Sequence, residues 1–339
     1  MTDQERLADY GLDNGEPLSI INFPAVDSDE WLEQRRLGIG GSDVGAIMGL
    51  NKYKSALKVY RQKVDGLKEE LSDNVNVRKG KDLEGFILRN YVQPKLSEEG
   101  FSVAKPDFMI TNARFPFYRA NVDGVAKPML GCTLEPRIVE IKYVSEFGAQ
   151  AWDGPDYGGV PASYYAQVQC YMHVAGLRHA IVCALFDKGW EMHYYEIDYD
   201  PAFCAKMDGI CNTFYGTNMC LGIPPKVNVV IDSAEDIAKA IEDSPADPLA
   251  YTEDAEMTAL CEEYAKVNSD IKALEKRKGD LASDILNMHS KGLKPAAPHS
   301  VKYSVVVTHR FNSTRFKEDD PKTYEQYCDD VKSTRTTVK

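Results

Sequence analysis

The chain lacks the signatures that most readily mark a zinc enzyme, a disulfide scaffold or a membrane protein. Its six histidines are scattered, with no H-x-E or H-E-x-x-H arrangement, so zinc catalysis is not expected. Its eight cysteines, at 132, 170, 183, 204, 211, 220, 261 and 328, form no C-x-x-C pair and no zinc or iron–sulfur spacing. Several sit among apolar neighbours, as in Gln169-Cys170-Tyr171 and Val182-Cys183-Ala184, which reads as free core thiols in a reducing compartment. No run of about 18 apolar residues is present, so a membrane-spanning helix is excluded. The first residues, Met1-Thr2-Asp3-Gln4-Glu5-Arg6, are polar and acidic and do not resemble a signal peptide. The expectation is a soluble protein of the cytoplasm.

Positive charge is outnumbered overall, with 40 Lys and Arg against 52 Asp and Glu. A net charge of −12 argues against nucleic acid as a partner until its location is considered. Between Asp232 and Glu263 stand eleven acids and one lysine, so the rest of the chain carries only about −2. Basic residues gather in the N-terminal third, at Arg35, Arg36, Lys52, Lys54, Lys58, Arg61, Lys63, Arg78, Lys79 and Lys81. A local basic groove therefore stays open.

What is present suffices for a sizeable core: 339 residues, 43% apolar, with 19 Tyr and 12 Phe. Helices are expected over 29–37, from Ser42 as N-cap to 48, over 55–64, and over 77–92, where Pro94 should stop the last. Residues 101–110, 118–126 and 138–144 read as strands, Asp123 ending the second of them. A helix over 163–175, strands over 180–186 and 191–197, and a helix over 201–220 follow. The order implies an α/β fold, a mixed central sheet flanked by helices, with a helical, coiled-coil-like C-terminal extension. The expected organisation is a core over 1–228, an acidic linker or solvated helix over 229–255, an amphipathic helix or coiled-coil arm over 256–290, and a small tail over 291–339. In the arm Leu260, Tyr264, Val267, Ile271, Leu274, Leu281 and Ile285 recur at steps of 3, 4 or 7, which suits a helix lying on a core as well as an oligomerisation arm. The tail offers a strand over 301–307 and a helix near 321–331.

The stretch that carries chemistry is Asn121-Val122-Asp123-Gly124 followed by Ile138-Val139-Glu140-Ile141-Lys142. A period of two puts Glu140 and Lys142 on one face of a strand while Val139 and Ile141 face apolar packing. Placing charges in so apolar a strand is costly unless they act. With Asp123 on a neighbouring strand, Asp123 and Glu140 can converge on one Mg²⁺, an ion that prefers few carboxylates and retained waters. Lys142 can then hold or deprotonate a water. The spacing by itself is a weak signal, and a surface ion pair is the simpler reading of it.

Taken in order, the motifs narrow the reading. Asp123-(x)16-Glu140-x-Lys142 resembles the P-D-(D/E)-x-K nuclease signature, and Glu84 stands where an upstream helical acid accompanies it. Tyr164-x2-Gln167 supplies a downstream glutamine. Trp31-x3-Arg35-x2-Gly38-Ile39-Gly40-Gly41-Ser42 resembles the opening motif of the YqaJ-type viral recombinase (lambda exonuclease) family, and the likeness spans roughly residues 28 to 200. That resemblance implies a restriction-endonuclease-like core and a processive 5′→3′ exonuclease that works on linear duplex ends and leaves a 3′ single strand. It implies Mg²⁺, with Mn²⁺ as substitute, on Asp123, Glu140 and the Ile141 carbonyl, with Glu84 beside or indirectly on the metal. Lys142 would act on the water, Gln167 would orient it, and Arg35 and Ser42 would grip the 5′ phosphate. Tyr164 and Asn121 are further DNA-binding candidates; Asn121 departs from the small hydroxyl residue common in the family. A Gly-Gly-Ser turn opening a helix, with Arg nearby, makes independent sense as an anion site. The family also implies a homo-oligomer, in related enzymes a ring trimer, a single-strand annealing protein as partner, and a phage- or prophage-encoded origin in a bacterial cell.

Competing readings are a structure-specific or restriction-like endonuclease, a catalytically inactive DNA-binding scaffold, and a metal-free adaptor acting through the 260–285 helix.

Overall fold

The computed structural model describes residues 2–25, 28–67, 75–240, 252–296, 299–302 and 312–328. It divides into two compact units, 1–240 and 241–339.

The first unit opens with α1 (Asp3–Asp9), capped by Thr2 and Glu5, and β1 (Leu18–Asn22). Helix α2 (Asp29–Arg36) follows, with the Ser28 side chain accepting from the Trp31 amide. Then come β2 (Ile39–Gly40), α3 (Gly41–Ile47), α4 (Ala56–Lys63, capped by Ser55) and α5 (Val75–Ile87). Pro94 does not stop the helical path. A π-helical turn over Leu88–Val92 absorbs the change of pitch, and Pro94 falls in the first turn of α6 (Gln93–Glu98), where no amide is missed.

The segments expected as two long strands are each broken. Residues 101–110 split into β3 (Phe101–Ala104) and β4 (Phe108–Asn112), which join different sheets across Lys105-Pro106-Asp107. Residues 118–126 split into β5 (Tyr118–Arg119) and β6 (Gly124–Pro128). Asp123 therefore precedes a strand instead of ending one. Strand β7 (Arg137–Val144), α7 (Ala162–Ala175), β8 (His179–Phe186), β9 (Glu191–Asp198) and α8 (Pro201–Thr213) complete the core.

The main sheet runs β3-β6-β7-β8-β9, antiparallel except for the β7–β8 pair, which α7 crosses over to make parallel. It is the mixed central sheet between helices expected from the sequence. Side chains of β7 alternate between two apolar layers: Ile138 packs with α7, while Val139 and Ile141 pack with the α5–α6 side, where Ile87 and Val92 lie. Four cysteines (170, 183, 204 and 211) are buried and free.

The acidic stretch does not start as a free linker. Helix α9 (Ala234–Ala240) is tied to α4: Asp236 lies 3.9 Å from Lys58 and 3.8 Å from Arg61, and Asp232 hydrogen-bonds Ser55. Part of the N-terminal basic cluster is thus neutralised within the fold, which narrows any basic groove. Residues 241–251 lie outside the described set.

In the second unit α10 (Ala255–Ser290) is one continuous 36-residue helix, and none of its residues is buried. Two short helices, α11 (Ser313–Asp319) and α12 (Pro321–Gln326), follow. The strand expected over 301–307 and the end of the helix near 321–331 fall largely outside the described residues. No helix among the described residues is long and apolar enough to cross a membrane.

Candidate active site

The site is built where β6 enters the sheet beside β7. Gly124 pairs with Val139, so the antiparallel register carries Asp123 across from Glu140. Position 124 must be small: a β-carbon there would lie 3.3 Å from the Cβ of Val139. The Asp123 carboxylate accepts from the Ile141 amide at 2.9 Å, which fixes its direction.

Glu140 is 1% exposed. Its Oε1 accepts from the Gln167 amide nitrogen at 2.7 Å and from the Lys142 ammonium. Its Oε2 is buried and has no hydrogen-bond partner among the described residues. Gln167 projects from α7 and also donates to the Tyr171 hydroxyl, at 3.2 Å. The Lys142 ammonium lies 4.7 Å from the ring centre of Tyr164, so four residues named from the sequence (Glu140, Lys142, Gln167 and Tyr164) share one spot.

Two carboxylates in so dry a place repel each other. Burial, and then the charges of Glu140 and Glu84, push Asp123 well above the usual carboxylate range. Burial likewise raises Glu140, although Lys142 opposes the shift. Lys142 itself is raised: burial works against its charge, and Glu140 and Asp123 more than restore it. As the site stands, Lys142 is a cation that holds Glu140 in place.

A divalent cation fits this donor set. Glu140 Oε2 has no hydrogen-bond partner among the described residues, and a bound cation would relieve the Asp123–Glu140 repulsion. Among the described residues no three His, Cys, Asp or Glu side chains converge as a complete metal cage. Glu84, the third acid, is drawn into an ion pair with Lys105. Lys105, in the break between β3 and β4, was not apparent from the sequence as a partner of Glu84.

The second constellation lies where β2 meets α3. Arg35 donates to the Ser42 hydroxyl at 3.1 Å, and its guanidinium lies 4.6 Å from the Trp31 ring centre. Ser42 is not the N-cap. That position is Gly40, whose amide donates to the Asp43 carboxylate at 3.1 Å, leaving the Ser42 hydroxyl turned to Arg35.

Asp43 is the residue that sequence reasoning missed. It is 1% exposed, 2.7 Å from Lys63 and 3.1 Å from Lys54. Burial alone would raise its pKa, but Lys63, Lys54 and Arg35 outweigh burial and hold it far below the usual range. The same burial lowers the Lys63 ammonium, a shift that Asp43 opposes. Lys63 also donates to the Arg35 backbone carbonyl, at 2.6 Å. Asp43 and Lys63 thereby fix both the turn and the helix end that present Ser42 and Arg35. Asn121, half-buried in the segment before Asp123, is not brought into this cluster by any hydrogen bond.

Residues 30–178 match the family model described as the YqaJ-like viral recombinase domain. Over 304 residues the chain is 24% identical to the uncharacterized protein YqaJ of Bacillus subtilis (strain 168), an alignment covering 89% of this chain and 91% of that protein. Among solved structures it is similar to an alkaline exonuclease (LHK-Exo) from Laribacter hongkongensis, with a TM-score of 0.45 and 20% identity over 57% of this chain and 94% of that one. A phage related exonuclease from Haemophilus somnus 129PT gives a TM-score of 0.38 and 13% identity, over 55% of this chain and 96% of that one.

Proposed function

We propose, from the match of residues 30–178 to the YqaJ-like viral recombinase domain and from the geometry of the site, that this chain is a metal-dependent deoxyribonuclease, and more narrowly a 5′→3′ exonuclease on linear duplex DNA. The observation that carries the reading is the facing pair of carboxylates, half-buried Asp123 and buried Glu140, with Glu140 Oε2 left unpartnered among the described residues beside Lys142 and Gln167.

Asp123, Glu140 and the Ile141 carbonyl would hold Mg²⁺, with Mn²⁺ as substitute, and Glu84 would contribute indirectly. When bound, the ion supplies positive charge to a phosphate and lowers the pKa of a water. Lys142 anchors one oxygen of Glu140 and brings a fixed positive charge to the side where a phosphate approaches. Gln167 grips the same oxygen from α7, so Glu140 cannot swing away when Lys142 turns to substrate. Tyr164, under the Lys142 ammonium, gives that charge an aromatic wall and offers DNA a stacking surface.

Arg35 and Ser42 would take the 5′-terminal phosphate, one by charge and the other by its hydroxyl. This pairing is what turns a general nuclease reading into one with polarity. The product would be a 3′ single strand for recombination by annealing. A single-strand annealing protein as partner, and a ring-shaped homo-oligomer around the DNA, complete the proposal.

The test is a time course on linear duplex with and without 5′ phosphates, beside closed circular duplex. The reading expects the phosphorylated ends to be degraded fastest and the circles to persist. Cutting of closed circles would contradict it, and equal rates on both linear substrates would remove the role given to Arg35 and Ser42.

A further inference from the structure

Helix α10 is exposed along its whole length, yet it is not polar all round. Leu260, Val267, Leu274 and Leu281 stand seven residues apart, and Tyr264, Ile271 and Ile285 fall midway in the other core row of a heptad repeat. Lys278 is the one charged residue in that row. Met257 and Met288 extend the pattern to both helix ends. Every apolar member is at least 41% exposed. Helices in proteins take most of their stability from packing an apolar face, and no described element of its own unit buries the apolar face of this 36-residue helix, which has Gly279 inside it.

We propose that α10 pairs with α10 of a second copy of this chain, antiparallel and side by side along its whole length. The register favours that occupant. Pairing Ile271 with Leu274 of the second copy brings Tyr264 opposite Leu281 and Leu260 opposite Ile285, and the same step sets Met257 against Met288. It also lays Ala255 against Ser290, so the two helices overlap completely with every core layer filled.

Charge decides the direction. A parallel pair in register would stack Lys278 on Lys278 and face Asp270 with Glu275, alike in sign on both sides. In the antiparallel pair Lys278 lies against Val267 and can extend its ammonium to solvent, while Arg277 faces Asp270 of the other copy. One like pair remains, Glu263 with Asp284, out near the helix ends. The inference stands on α10 alone and does not depend on the nuclease reading.

The experiment uses the full chain and measures mass in solution by sedimentation. Two variants, Ile271→Lys and Leu274→Glu, are run separately and mixed. The wild type should have twice the mass of either variant at equal concentration. The mixture should regain the doubled mass, because only an antiparallel pair sets the introduced lysine against the introduced glutamate while leaving the reciprocal layer apolar. Fluorescence of Trp31, Trp152 and Trp190, all in the first unit, controls for the fold of that unit. Variants with the wild-type mass would overturn the pairing, and a mixture that stays at the lower mass would overturn the antiparallel direction.

Discussion

The ring of Tyr171 lies so close to Gly41 that a β-carbon at position 41 would stand 2.3 Å from a ring carbon. Tyr171 also receives a hydrogen bond from Gln167, which holds Glu140. One aromatic side chain thus connects the turn bearing Ser42 to the carboxylate at the centre of the proposed chemistry. Gly41→Ala should force that ring or the turn to shift, destabilising the fold by about 1–3 kcal/mol as overpacking does. Chemical denaturation measures this. Tyr171→Phe keeps the ring and should cost much less stability.

Asp43 gives the fold an acid-sensitive point. Its folded pKa is depressed, so its contribution is fully present above the unfolded value of about 3.9 and is lost as pH falls below that toward the folded pKa. Asp43→Asn leaves Lys63 buried without its counter-charge and should cost about 3–5 kcal/mol at neutral pH. Urea titrations at several pH values should show the wild type losing stability below about pH 4 more steeply than Asp43→Asn.

Arg35→Ala removes the guanidinium held between Trp31 and Ser42. On the proposed role of Arg35 at a terminal phosphate, the variant should lose the preference for 5′-phosphorylated ends. Its rate on unphosphorylated ends should stay within a few-fold of wild type. Comparing the two substrates at equal end concentration measures this.

Relief of the Asp123–Glu140 repulsion has a readout that needs no DNA. Adding Mg²⁺ should raise the thermal midpoint of the wild type, because a ligand bound only by the folded state stabilises it. Glu140→Ala should abolish that rise. A midpoint that Mg²⁺ leaves unchanged in the wild type would contradict the metal assignment.

Much of the site was legible because its signals are local or ordered along the chain. The alternation of Ile138 through Lys142 in β7 placed Glu140 and Lys142 together, and the register brought Asp123 opposite. Gln167, one helix further on, reaches the same carboxylate. What could not be read depends on partners distant in sequence. Asp43 is buried only because Lys54 and Lys63 come back to it from α4 and the turn before it. Asp236 is taken by Arg61 and Lys58, which turned part of an acidic stretch into a docked helix. Lys105-Pro106 ended a run that pattern alone extended, and a π-helical turn let the chain pass Pro94.

Asp123, Glu140 and Lys142 are proposed to form a metal-dependent nuclease centre. Its most direct test is nucleotide release from 5′-phosphorylated linear duplex by wild type, Glu140→Ala and Lys142→Ala, each with Mg²⁺ present or chelated. Wild type should release nucleotides only with Mg²⁺, and each variant should lose about 10²-fold or more. Release that survives chelation, or variants that match the wild-type rate, would contradict it.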